Sequence, residues 1–112
     1  MKNSVLYTAF PALLLAAILL FPFLGKAFTI DDPLFLCQAR HALVDPLHPT
    51  AFMMAWADTS ERVSQLVPSG PVMAWLLIPA IMAGGAEWVA HATQLVMLWI
   101  AILATVSLAR RL

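Results

Sequence analysis

Asp31 and Asp32 stand side by side at the end of a long apolar run, followed by Pro33 and, further along, by Arg40 and His41. A carboxylate held where a membrane span meets water can act as a general base, taking a proton from an acceptor hydroxyl or amine. A guanidinium grips phosphate in a planar, bidentate fashion, which Arg40 or Arg62 could supply. The plainer reading is structural. Asp32 before Pro33 is a strong helix start, a carboxylate cap followed by proline at the first helical position, with Asp31 merely solvated. A cap accounts for one aspartate and leaves the other to be explained.

The remaining ionisable groups between the apolar ends are Asp45, His48, Asp58, Glu61, Arg62, Glu87 and His91. His41 and His48 flank Asp45, but Pro46 and Pro49 break the helix that would align them, so no metal site is assigned there. Arg62 is expected to pair with its neighbour Glu61. No Ser/His/Asp arrangement, glycine-rich phosphate loop or paired-cysteine motif is present, and the single Cys37 cannot form an internal disulfide. No cofactor is implied, and a divalent metal is left open.

These residues must be positioned by a chain that is 62% hydrophobic and 11% charged, with a mean hydropathy of +0.89 over 112 residues. Soluble domains carry about a quarter charged residues, so the composition is that of a membrane protein and the lipid bilayer is its first partner. Six basic and six acidic residues balance, which gives no nucleic-acid-binding surface. A span is expected over about 5–24, long enough for a hydrocarbon core of roughly 30 Å. The alternative is a cleaved signal peptide ending at Gly25-Lys26-Ala27, though its apolar region would be longer than usual.

A helix is predicted from Pro33 to about Val44, ended by Asp45-Pro46, with Phe35, Ala39 and Ala42 as its apolar strip. Residues 48–59 read as an irregular loop with Phe52 and Trp56 at headgroup level, and 59–66 as another helical turn or two. Pro68-Ser69-Gly70-Pro71 is a break. Val72 to Ala83 is apolar but only about 18 Å long as a helix, and fits an interfacial or re-entrant helix ending at Gly84-Gly85. A second span covers about 92–109 and stops at Arg110-Arg111. Lys2 and the arginine pair place both termini in the cytoplasm of an inner (plasma) membrane protein, with an extracytoplasmic loop over about 26–91. A third span over 72–83 would carry the arginine pair outside. The fold class is therefore all-α: two transmembrane helices joined by a helical loop, in one membrane unit over 1–112.

The stretch Phe28-Thr29-Ile30-Asp31-Asp32-Pro33-Leu34-Phe35-Leu36-Cys37-Gln38-Ala39-Arg40-His41 resembles the first loop of the GT-C membrane glycosyltransferases. The likeness is to the protein mannosyltransferases and lipid A aminoarabinose transferases, which use polyprenyl-phosphate sugars. Pro68-Ser69-Gly70-Pro71-Val72, then Gly84-Gly85-Ala86-Glu87-Trp88 and a span, resembles the stretch before that family's second span. The family often has a second proline where this chain has Gly70, and an arginine near His91. The resemblance implies inverting transfer of a sugar from a polyprenyl-phosphate donor to an extracytoplasmic acceptor. Asp31 or Asp32 would be the catalytic base, and Arg40 and His41 would bind substrate. It also implies a longer enzyme, with downstream membrane helices as partners, of which this chain is an N-terminal part. The alternative is a small two-span accessory or interaction protein in which the acidic pair is only a cap.

Overall fold

The computed structural model describes every residue except Met1, Ile30, Ala57 and Ser69, and side chains from Val5 onward. Ser69, part of the expected break, and Ile30, in the stretch before the acidic pair, lie outside the described residues. The chain divides into two compact units, Met1–Lys26 with Glu87–Leu112, and Ala27–Ala86.

The first unit is a pair of long helices, α1 (Lys2–Leu20) and α6 (Glu87–Ala109), with a 3-10 turn over Phe21–Phe23 extending α1. Val5–Phe23 and Glu87–Ala109 have mean hydropathies of 2.2 and 2.0 and are long enough to cross a membrane. Pro11 lies inside α1 without ending it, as a span permits when neighbouring groups satisfy the freed carbonyl. The residues buried between the helices are small, Ala9 and Ala90, while Tyr7, Ile18 and Phe21 face outward. Close backbone approach through small residues, with the large apolar side chains turned out, is the packing expected where the solvent is lipid. At one end of the pair Arg110 Nη1 donates to Thr8 Oγ1 at 3.4 Å. At the other, His91 lies against Leu24. The helices are therefore antiparallel. The second long apolar helix starts five residues earlier than the sequence suggested, at Glu87, where a carboxylate in the first turn complements the helix dipole.

The second unit comprises α2 (Asp32–Ala42), a hairpin of β1 (Met53–Trp56) and β2 (Thr59–Arg62), a single turn α3 (Val63–Leu66), and two short helices, α4 (Val72–Leu76) and α5 (Ile78–Met82). Helix α2 packs on both α4 and α5. Its buried face is Leu34, Gln38 and Ala42 at i, i+4 and i+8, with Ala39 beside them, against buried Ala74, Leu77 and Ala80. This corrects the expected strip of Phe35, Ala39 and Ala42. The buried face is rotated toward Leu34 and Gln38, and Phe35 is half-buried. Gln38 conceals this face in the sequence, because its polarity breaks the apolar period. Trp75 Nε1 donates to the Pro46 carbonyl at 2.8 Å, tying α4 to the segment after α2.

Three other expectations change. The hairpin departs from an all-helical loop, since residues 53–56 and 59–62 pair antiparallel with Met54 opposite Glu61 and Trp56 opposite Thr59. Thr59-Ser60-Glu61-Arg62 has no apolar alternation, so pairing to β1, not sequence pattern, holds it extended. The apolar segment 72–83 is two helices meeting at Leu77, because Pro79 cannot donate to the Trp75 carbonyl. Gly84 and Gly85, at φ +76° and +81°, then close α5. Gly85 N–H donates to the Ala80 carbonyl at 2.8 Å and Gly84 N–H to Ile81 at 3.0 Å, a Schellman pair that glycine accommodates without strain.

Candidate functional site

The two aspartates have different surroundings. Asp32 is the first residue of α2, and its carboxylate reaches back to Thr29, accepting from the backbone N–H at 2.7 Å and from the hydroxyl at 3.2 Å. Its own N–H donates to the Thr29 carbonyl at 2.7 Å, closing a small ring that fixes how the chain enters the helix. Asp32 thus has a structural task, though not the one expected. The N-cap position is Asp31, and its side chain makes no capping bond. Asp31 supplies the cap through its backbone, its carbonyl accepting from Leu34 at 3.1 Å and Phe35 at 3.4 Å. Among the described residues its carboxylate has no hydrogen-bond or ion-pair partner.

Asp31 lines a cleft of about 260 Å³ with Leu34, Phe35, Trp56, Leu66, Val67 and Pro68. Leu34 and Phe35 stand three and four residues on from Asp31, one helical turn away on the same face. Trp56 comes from the end of β1, and Leu66 to Pro68 from α3 and the segment behind it. The hairpin that the sequence did not reveal is therefore one wall of the cleft. Gln38, one turn beyond Leu34 on the same face, is fully buried, and among the described residues neither its Nε2 nor its Oε1 has a partner.

Compared with family models, curated proteins and solved structures, the chain matches none.

Arg40 and His41 are not at this cleft. Arg40 lies about 13 Å along the helix from Asp31 and roughly half a turn around it. It is exposed, at the far end of α2. The His41 ring stacks on Phe52, with centroids 4.9 Å apart and planes tilted by 34°. Nor does His41 meet His48. The His48 ring instead lies 3.2 Å from Asp45 Oδ2, and the His48 backbone N–H donates to Asp45 Oδ1 at 3.2 Å. Burial raises the Asp45 carboxyl, but the hydrogen bonds from the His48 backbone and ring, the charge of His48 and the Leu47 N–H outweigh it. The net effect holds Asp45 below its ordinary value of 3.8. Among the described residues no three of His, Cys, Asp and Glu gather in a way that could hold a metal. Arg62 does not pair with Glu61, because neighbours on a strand project to opposite faces. Glu61, two residues from Thr59 and on its side, accepts the Thr59 hydroxyl at 2.9 Å.

A second cavity, of about 310 Å³, belongs to the helix pair and is lined by Leu20, Phe23, Leu24, His91, Gln94, Leu95 and Leu98. His91 Nδ1 donates to the Leu24 carbonyl at 2.9 Å, which fixes the proton on that nitrogen. Sequence reasoning named His91 only as a loop residue and passed over Gln94. The spacing of three, which puts both on one helix face, was the available signal.

Proposed function

We propose that this chain is the N-terminal part of a membrane glycosyltransferase of the GT-C type. It would transfer a sugar from a polyprenyl-phosphate donor to an acceptor on the extracytoplasmic side of the inner membrane, with both termini cytoplasmic. The observation that supports this reading is the division of labour within the acidic pair. Thr29 occupies the Asp32 carboxylate, while Asp31 has none of that work and lines a cleft. In the transfer step the acceptor oxygen or nitrogen attacks the anomeric carbon and Asp31 takes its proton. The carbon–oxygen bond to the phosphate breaks, and the polyprenyl phosphate leaves with the electron pair. Two spans cannot enclose a polyprenyl chain, so donor binding is assigned to further membrane helices. Arg40 and His41, remote from Asp31 along α2, have no part in the proton transfer and keep only a donor-side role.

The test is transfer of labelled sugar from polyprenyl-phosphate donors in membranes of the native host whose gene carries Asp31→Asn or Asp32→Asn. Asp31→Asn should lower transfer by about a hundredfold or more, the usual contribution of a general base. Asp32→Asn should act more weakly, through the ring it closes with Thr29. Undiminished transfer with Asp31→Asn would exclude Asp31 as the base and favour the small accessory protein. For topology, a reporter that is active only outside the cytoplasm, fused after Arg111, should be silent. Activity would overturn the two-span arrangement.

A further inference from the structure

We infer that the Asp31 cleft is a binding site for a small organic cation, an ammonium group carried on an apolar or aromatic stem. The inference shares Asp31 with the transfer reading but needs no sugar donor. Three features of the lining carry it. The formal charge at the cleft is the Asp31 carboxylate, and among the described residues no basic one lines it. Phe35 and Trp56 contribute two aromatic rings, and aromatic faces attract cations, most strongly for tryptophan and for ammonium ligands. The other lining residues, Leu34, Leu66, Val67 and Pro68, bring apolar side chains that suit a hydrocarbon stem.

The opposing term is the helix dipole, since the cleft lies at the N-terminus of α2, where anions are ordinarily favoured. That dipole amounts to roughly half a positive charge. Asp31 and Asp32 place two formal negative charges on the same turn, so the local field favours a cation. At about 260 Å³ the cleft is near the small end of ligand sites, sized for a headgroup or a single ring. An ammonium on Asp31 engages the carboxylate that the transfer step needs as its base, so the two occupancies exclude one another.

The probe is phenethylammonium, with 2-phenylethanol as a neutral counterpart of the same shape. Each is titrated calorimetrically into the full chain in maltoside micelles, which contain no amine, at fixed ionic strength. The cation should bind saturably and at least roughly tenfold more tightly than the alcohol, a difference of about 1.4 kcal/mol. Asp31→Asn should remove that preference while leaving 2-phenylethanol unchanged. Trp56→Leu should weaken both. Glu61→Gln, which deletes a negative charge on the hairpin outside the lining, should change neither. Equal affinity for cation and alcohol in the unmodified chain overturns the proposal without any variant having to fold. So does non-saturable uptake common to all variants, which is partition into the micelle. Cation binding with no sugar transfer in the membrane assay would keep this inference and remove the transferase reading. Transfer without cation preference would do the reverse.

Discussion

The two units bury different things. In the helix pair the buried contacts are Ala9 and Ala90, and large apolar side chains such as Phe10, Leu14 and Ile18 remain exposed. In the second unit two leucines, a valine and a glutamine are buried among alanines, with hairpin and helix ends closing around them. Helices long and apolar enough to cross a membrane would gain little in lipid by hiding a leucine, and this pair instead brings its backbones together through alanine. The second unit hides apolar side chains around one polar residue, Gln38, and there an unpartnered amide costs free energy. The functional candidate lies in that second setting, where burial and charge can be played against each other.

The largest expected effect that separates the two regimes is truncation of a buried leucine. Leu34→Ala should destabilise the second unit by about 2–5 kcal/mol, read as lost amide-exchange protection in α2 and α4. Leu14→Ala on the exposed face of α1 should stay within about 0.5 kcal/mol. Equal costs at the two sites would erase the distinction. Next in size, and opposite in sign, is Gln38. Both of its side-chain polar atoms are buried without a partner among the described residues, so Gln38→Met should stabilise the unit by about 1–3 kcal/mol in the same measurement. A loss of stability would mean that the amide is bonded, through a water or another helix. Trp99 Nε1 in α6 is likewise buried and unpartnered, and Trp99→Phe should gain less, since a single donor is involved.

The smallest effect is at the surface. Asp45 is held below 3.8, so its folded state binds protons less readily than the unfolded one. Its contribution is present above the unfolded value and is lost as pH falls through the lower folded value. An NMR titration of the His48 amide should have its midpoint below 3.8, and His48→Ala should move that midpoint upward. A midpoint above 3.8 in the unmodified chain would remove the Asp45–His48 contact from the account. Acidification to pH 5 should leave this contact intact.

Much of the architecture was legible because lipid imposes a length and a composition. Val5–Phe23 and Glu87–Ala109 are simply too long and too apolar to be overlooked, and Pro33, Asp45-Pro46 and Gly84-Gly85 mark helix ends through local backbone chemistry. The acidic pair, too, stood out as needing two explanations. What the chain's local pattern left open was everything that depends on partners distant in sequence. Gln38 reads as a surface residue until α4 and α5 cover it, and Thr59–Arg62 reads as polar loop until β1 supplies its hydrogen bonds. Arg40 seemed a companion of Asp31 only because linear closeness ignores rotation about the helix. By itself the sequence determined the two long apolar helices, the start of α2, the end of α5 and the candidate carboxylates, since these follow from hydropathy and from φ/ψ preferences within a few residues. Only the tertiary structure decided which aspartate is occupied and which lines a cleft, because that rests on a side chain turning back to Thr29 and on a tryptophan delivered by a hairpin.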